Sequence, residues 1–275
     1  MSALFGSVVG LAARIPDGAK IALAQDSVGV SMALTRELIR RRVRDLHLVC
    51  VPISGLQADV LIGAGCVRTI ETSAVSLGEF GTGPRFAAAL AAGTLRVLDA
   101  TCPAIHAALQ AAQKGVPFMP LRGMLGTDLL VRRDDWKVID NPFAAEPDPI
   151  VLLPAIRPDV ALFHAPAADR NGNVFIGRQR DLLTMAQASV ETYVTVESIV
   201  EGDLLSDPDR SPGVVPAIYV SGIAAARGGA RPLRFLDAYP LDEPAVARYA
   251  GMARTAEGFA QWLDEWLQPA DAVVA

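Results

Sequence analysis

Apolar runs of strand length alternate with segments of helical periodicity through the first half of the chain. Leu46–Val51 is a nearly continuous apolar run, which is typical of a strand buried on both faces. Residues 32–42, before it, and residues 104–114 place apolar side chains at helical spacing. Strands that alternate with helices across short connections form parallel pairs with right-handed crossovers. We therefore predict an α/β fold with an open, mainly parallel sheet and flanking helices.

The same patterns predict the remaining elements. Short strands are predicted at residues 20–24, 60–62, 69–71, 95–98, 150–153, 159–164, 190–196 and 217–220. Residues 134–149 carry turn chemistry, and residues 243–267 have the apolar stripes of two amphipathic helices. Because no repeat or linker interrupts this order, we expect one domain over residues 1–275, with a C-terminal helical tail from about residue 243.

Composition excludes several classes of protein. With 275 residues, 51% hydrophobic residues and a net charge of -5, the chain is unlike a disordered protein and unlike a nucleic-acid-binding one. The N-terminus lacks the basic region of a signal peptide and the length of a membrane span, so we expect no membrane partner. Three cysteines, an odd number, favour a reducing compartment and hence the cytoplasm. Three scattered histidines form no metal motif, so no metal is expected.

Loops that follow the predicted strands are the candidate binding loops, because ligands of open parallel sheets bind beyond the carboxyl ends of the strands. These loops are rich in Gly, Ser and Thr, whose backbone amides approach anions closely. They contain the candidate residues Ser54, Glu79, Gly81, Gly126 and Thr127. Glu79 suits a general acid or base, and a surface turn carboxylate is an equal alternative.

Two further residues have competing interpretations. Asp128 either positions a neighbouring side chain or caps a helix, and we favour the cap. Cys102 precedes a helix whose N-terminus would stabilise a thiolate, although a structural cysteine is the simpler interpretation. The run Gly63-Ala64-Gly65 does not complete a dinucleotide-binding motif, because Arg68 occupies the third glycine position.

Six blocks of sequence, in unbroken order from about residue 15 to residue 222, resemble the A (alpha) subunit of family I coenzyme A transferases of the glutaconate CoA-transferase type. The blocks are IPDGAKIA from Ile15, MALTRELIR from Met32 with DLHLV from Asp45, DVLIGAG from Asp59, EFG from Glu79, GVPFMP from Gly115 with LGTDL from Leu125, and RPDVA from Arg157.

The resemblance implies an α/β subunit that acts with a homologous B (beta) subunit, often in an A2B2 heterotetramer. In that family the B subunit supplies a glutamate that attacks the acyl-CoA thioester, a glutamyl-CoA thioester forms, and a second carboxylic acid is the acceptor. The resemblance implies no tightly bound cofactor, with the coenzyme A thioester as substrate. The A subunit would supply the opposing wall of the cleft, for which we select the residues Gly29, Ser54, Gly81, Gly126 and Thr127, with Glu79 and Asp26 as catalytic candidates.

Two departures from the family pattern shape the expected function. The chain contains no Glu-Asn-Gly, as expected for an A subunit that is inactive without its partner. The Gly-Gly-Phe loop of the family is replaced by residues 24–32, which keep Gly29 and introduce the carboxylate of Asp26. Two alternatives therefore accompany the CoA-transferase: an acyl-CoA hydrolase or ring-opening subunit of the same family, and a degenerate subunit that stabilises its partner.

Overall fold

The computed structural model describes residues 4–268, so the ends of the predicted domain, 1–3 and 269–275, lie outside the described residues. The strands are β1 (Phe5–Gly6), β2 (Lys20–Ala24), β3 (Leu46–Val51), β4 (Val67–Thr72), β5 (Arg96–Asp99), β6 (Phe118–Leu121), β7 (Lys137–Asp140), β8 (Pro149–Pro154), β9 (Val160–Asp169), β10 (Val174–Phe175), β11 (Glu191–Val200), β12 (Val214–Val215) and β13 (Gly222–Ala225). The helices are α1 (Val8–Ala13), α2 (Met32–Arg40), α3 (Leu56–Gly63), α4 (Pro84–Ala91), α5 (Cys102–Lys114), α6 (Leu129–Arg132), α7 (Arg180–Ala188), α8 (Glu243–Met252) and α9 (Ala256–Leu267).

The main sheet has the order β1-β13-β11-β9-β2-β3-β4-β5, and every neighbouring pair along this path is parallel. The predicted α/β class, an open and mainly parallel sheet with flanking helices, is confirmed. The chain runs from β2 toward β5 on one side, and from β9 toward β13 on the other. The order therefore reverses between β2 and β9, and in open parallel sheets such a reversal is where a ligand crevice is expected at the carboxyl ends of the strands.

Alternating side chains of the central strands fill two separate cores. Ile21 and Leu23 pack into one hydrophobic cluster, whereas Ala22 and Ala24 of the same strand pack into the other. Successive side chains of a strand point to opposite faces, so β2 is covered by helices on both sides. This explains why the central strands read as continuous apolar runs.

Helix ends follow local sequence signals. Ser31 accepts a hydrogen bond from the backbone of Leu34 at the start of α2, and Thr101 does the same for Ala104 in α5. Gly115 ends α5 in the left-handed conformation, which is the usual role of a glycine that follows a helix.

Two predicted strands are wrong. Residues 60–62 belong to α3, whose first seven residues are all buried, so the helix has no polar face to reveal its period. Residues 217–220 form a 3-10 turn at Ala217–Tyr219, and the strand follows at Gly222–Ala225. Residues 134–149, for which the sequence predicts turns, contain β7, which belongs to a small antiparallel sheet of order β6-β8-β7.

The two C-terminal helices pack onto the rest of the protein through buried aromatic side chains. Trp262 and Phe259 of α9 contact Tyr249 of α8, and the Tyr249 hydroxyl donates to Asp59 of α3 over 2.5 Å. The helices lie where the sequence predicts the helical tail. The single domain over 1–275 stays a prediction.

Candidate functional site

A cavity of about 430 Å³ lies at the carboxyl ends of β2, β3 and β4. The loops that follow these strands form its floor: Gln25, Asp26, Ser27, Ile53, Ser54, Gly55, Ser76, Leu77 and Gly78. Leu233, Arg234, Leu241 and Val246 cover it from the C-terminal part of the chain. The cavity therefore lies at the carboxyl edge of the parallel sheet, where ligands of such sheets bind, on the β2 side of the reversal in strand order.

Asp26 is held at the N-terminus of α3 by two backbone donors. Its carboxylate accepts hydrogen bonds from the amides of Gly55, over 3.1 Å, and of Leu56, over 2.9 Å. A Cβ atom on Gly55 would lie 2.3 Å from a carboxylate oxygen of Asp26, so this approach requires glycine. Burial raises the pKa of Asp26 to about 6 despite these donors. Asp26 is therefore a carboxyl group that can exchange a proton near neutral pH.

Ser54 is a buried hydroxyl in the wall of the same cavity. The residue is 2% exposed, and its Oγ has no hydrogen-bond partner within residues 4–268. Its backbone oxygen accepts from the amide of Ser76, over 3.0 Å, which joins the second and third loops of the floor. A buried hydroxyl without a partner carries a desolvation cost, so Ser54 is a polar position in a buried part of the cavity wall.

The other predicted site residues do not line this cavity. Glu79 and Gly81 lie on the exposed turn that follows Gly78, beside the floor but facing solvent. Gly29 is buried, and a Cβ atom there would lie 2.4 Å from the backbone oxygen of His164, which gives this glycine a packing role.

Gly126 and Thr127 lie on a different loop, between β6 and α6. Both residues are exposed, and the Thr127 hydroxyl donates to the backbone oxygen of Met124 over 2.7 Å. Asp128 occupies the cap position of α6, but its side chain makes no capping hydrogen bond, so the predicted cap is wrong. Cys102 is exposed at the start of α5, with its Sγ 3.2 Å from the Ser73 hydroxyl.

The covering residues are the part of the site that sequence reasoning missed. Leu233, Arg234 and Leu241 belong to a segment with almost no regular secondary structure, and no periodic pattern marks them. The available signal was the clustering of Gly228, Gly229 and Pro232, which predicts an irregular connection but not its position over the cavity.

The described part of the chain offers neither a metal-ligand cluster nor a membrane-spanning helix. Within residues 4–268, no group of three or more His, Cys, Asp or Glu side chains is placed to hold a metal ion. The helices in this range are all too short or too polar to cross a bilayer.

Comparison with known sequences identifies the family. The model of the coenzyme A transferase family matches residues 7–224. The A subunit of 3-oxoadipate CoA-transferase from Pseudomonas knackmussii is 33% identical over 262 residues, which cover 92% of this chain and 89% of that protein. The IpdA subunit of the cholesterol ring-cleaving hydrolase from Rhodococcus jostii is 30% identical over 247 residues, with 86% and 82% covered.

Solved structures agree with this assignment. Glutaconate CoA-transferase from Acidaminococcus fermentans superimposes with a TM-score of 0.89 at 26% identity, covering 96% of this chain and 89% of the other. A variant of the decarboxylase AibA/AibB superimposes with a TM-score of 0.83 at 31% identity, with 96% and 97% covered. The chain belongs to the coenzyme A transferase family, and it is an A-type subunit of a heteromeric enzyme of that family.

Proposed function

We propose that this subunit, together with a B subunit, transfers coenzyme A between carboxylic acids, and that the acyl group of a dicarboxylic acid occupies the cavity beside Asp26. The observation that carries the proposal is Arg234, a cation on an otherwise mainly apolar cover. Two relatives are named for dicarboxylic acids, 3-oxoadipate and glutaconate, which supports the same substrate class.

The lining of the cavity suits such an acyl chain. Leu233, Leu241 and Val246 offer apolar contacts to its methylene groups. Arg234 forms no ion pair with a carboxylate of residues 4–268, and its Nε donates to the backbone oxygen of Leu236 over 3.4 Å. Its two terminal nitrogens are therefore available to pair with the distal carboxylate of the substrate. Ser54 supplies a hydroxyl for the acyl or acceptor oxygen, and Asp26 supplies a group that exchanges a proton.

The nucleophile is proposed to come from the B subunit. This chain lacks Glu-Asn-Gly, and several relatives are named as subunits of larger enzymes. The glutamate of the partner would displace the thiolate of coenzyme A from the acyl group, and the thiolate would then form the glutamyl-CoA thioester as the first carboxylic acid leaves. The exposed Glu79 and Gly81 lie at the rim, where we propose that they face the partner.

The experiment is coexpression with the B subunit, followed by incubation with acyl-CoA esters of dicarboxylic acids. Mass spectrometry of the partner should show a glutamate carrying coenzyme A, and a labelled acceptor acid should enter the acyl-CoA pool. Absence of both the adduct and the exchange refutes the transferase. We also propose a cytoplasmic location, on the strength of the odd cysteine count and the free thiols of Cys50, Cys66 and Cys102.

A hydrolytic reaction is the second candidate, and a specific observation favours it. Asp26, with its pKa raised to about 6 by burial, is placed in the cavity as a base that can activate water or a ring carbonyl. The cholesterol ring-cleaving relative supports such chemistry in a similar subunit. Formation of the free acid or a ring-opened CoA product without any acceptor acid identifies this reaction. Turnover that survives Glu79→Gln, Asp26→Asn and Ser54→Ala together indicates a degenerate subunit instead.

A further inference from the structure

The segment that covers the cavity depends on side-chain contacts for its position. Residues 226–242, which we call the cover segment, contain turns and a single isolated bridge between Phe235 and Tyr239. Because no sheet or helix fixes this backbone, its free energy of ordering has to come from tertiary contacts. The segment nevertheless places Leu233 and Arg234 in the lining of the cavity that also contains Asp26.

Glu197, on β11, is the main attachment point of the cover segment. Its carboxylate accepts hydrogen bonds from the backbone amide of Gly228, over 2.9 Å, and from the hydroxyl of Tyr239, over 2.8 Å. These two donors lie near the two ends of the segment. Burial opposes ionisation of Glu197, but the donors at Gly228, His164 and Tyr239 together lower its pKa. The carboxylate is therefore charged at neutral pH, and its hydrogen bonds are of the stronger, charge-assisted type.

The same carboxylate is connected to Ser31, at the end of the loop that carries Asp26, through a chain of hydrogen bonds. Nε2 of His164 lies 2.7 Å from Glu197, and its Nδ1 lies 2.8 Å from the hydroxyl of Thr195. Thr195 in turn lies 2.7 Å from the hydroxyl of Ser31. A carboxylate only accepts, so His164 donates from Nε2, accepts at Nδ1 from Thr195, and leaves Thr195 to accept from Ser31. Burial lowers the pKa of His164, which favours the neutral ring that this chain of hydrogen bonds requires.

His164 also holds the loop that carries Asp26. Its backbone amide donates to the backbone oxygen of Gly29 over 2.7 Å, and its ring packs against Phe235 of the cover segment with 4.6 Å between centroids. One buried histidine thus contacts both the loop that carries Asp26 and the cover segment. His164 therefore fixes the position of the loop that carries Asp26 relative to the cover segment.

We infer that Glu197 and Tyr239 are positioning residues that hold the cover segment over the cavity, so that they determine substrate affinity without touching the substrate. The inference rests on the proposed function, because it assigns these residues to the same acyl-binding cavity. Neither residue lines the cavity, so their effect should fall on binding rather than on the chemical step.

The test uses Tyr239→Phe and Glu197→Gln in the coexpressed two-subunit enzyme. Loss of one hydrogen bond to a charged group should raise the KM for acyl-CoA about tenfold, while kcat changes by no more than about twofold. Amide hydrogen exchange should become faster in residues 228–239. Glu201→Gln is the matched control, because the Glu201 carboxylate is exposed and pairs only with Arg170 within the described residues. It should leave KM and exchange unchanged.

The outcomes separate this inference from the proposed function. Unchanged KM and unchanged exchange in Tyr239→Phe overturn the inference, even if Glu197→Gln fails to fold. A fall of kcat in Tyr239→Phe or Glu197→Gln at constant KM also overturns the inference, because that result places the residues in the chemical step. If the unmodified enzyme shows no turnover, the proposed function fails, and hydrogen exchange still decides whether the two side chains hold the cover segment.

Discussion

Asp26→Asn tests whether the folded protein opposes ionisation of the Asp26 carboxyl. Burial raises its pKa from the ordinary value of 3.8 to about 6, which corresponds to about 3 kcal/mol between the two protonation states. Below pH 3.8 the carboxyl is protonated in both the folded and unfolded chain. As the pH rises, the unfolded chain loses this proton first, so the contribution of Asp26 to the free energy of unfolding falls until the pH passes 6.

The assay is urea unfolding of the unmodified protein and the variant across pH 2 to 8, a range that includes the titrations of both Asp26 and Asp148, because titrations shared by both proteins cancel in the difference. Asn still accepts one of the two backbone hydrogen bonds, so the variant carries a constant loss of about 1 to 2 kcal/mol. At low pH the unmodified protein should therefore have the higher free energy of unfolding. Between low pH and pH 7 its free energy of unfolding should fall by about 3 kcal/mol relative to that of the variant.

Asp148→Asn provides a control of opposite sign. The hydrogen bond from Arg122 and then that from Asn141 lower the pKa of Asp148, so its contribution to stability grows as the pH rises through the folded pKa. A stability difference for Asp26→Asn that does not vary with pH would refute the reasoning about burial. A difference that follows the Asp148 direction would show that the backbone donors outweigh burial.

Three other substitutions give independent tests. Gly55→Ala places a Cβ atom 2.3 Å from a carboxylate oxygen at the start of α3 and should cost about 2 to 3 kcal/mol in denaturant unfolding, whereas Gly123→Ala, with open space around it, should cost little. Arg133→Met leaves the carboxylate of Glu71 buried without its 2.8 Å ion pair and should cost about 3 to 5 kcal/mol by the same measurement. Arg234→Gln should raise KM at least about tenfold for dicarboxylic acyl-CoA esters and leave monocarboxylic esters nearly unaffected in steady-state assays.

The central sheet was predictable because strands that are buried on both faces consist almost entirely of apolar residues. The near-continuous apolar run of Leu46–Val51 admits few structures other than a strand covered on both faces. The same logic failed for residues 60–62, since a helix buried on all sides also reads as an apolar run. Only the structure shows that this segment has helical hydrogen bonding.

The floor of the cavity was predictable and its cover was not. Ser54 follows from the rule that ligands bind beyond the carboxyl ends of parallel strands, and Asp26 follows from the departure of its loop from the family pattern. The position of Arg234 depends on a tertiary hydrogen bond from Tyr239 to Glu197, a contact between residues far apart in the chain, which leaves no local pattern. Gly126 and Thr127 stay a prediction, and they lie on an exposed turn beside the separate small sheet rather than in the lining of this cavity.

The division of the cavity between early and late parts of the chain has a consequence for biosynthesis. The floor loops, which end at Gly78, leave the ribosome well before Leu233 is added. Protein synthesis adds about 5 to 20 residues per second, so on the order of ten seconds separate synthesis of the floor loops from synthesis of the residues that cover them. During that interval the nascent chain exposes an unfinished apolar cleft to chaperones, and no acyl-CoA can be held there. The cavity therefore becomes complete only when translation of the chain is nearly finished.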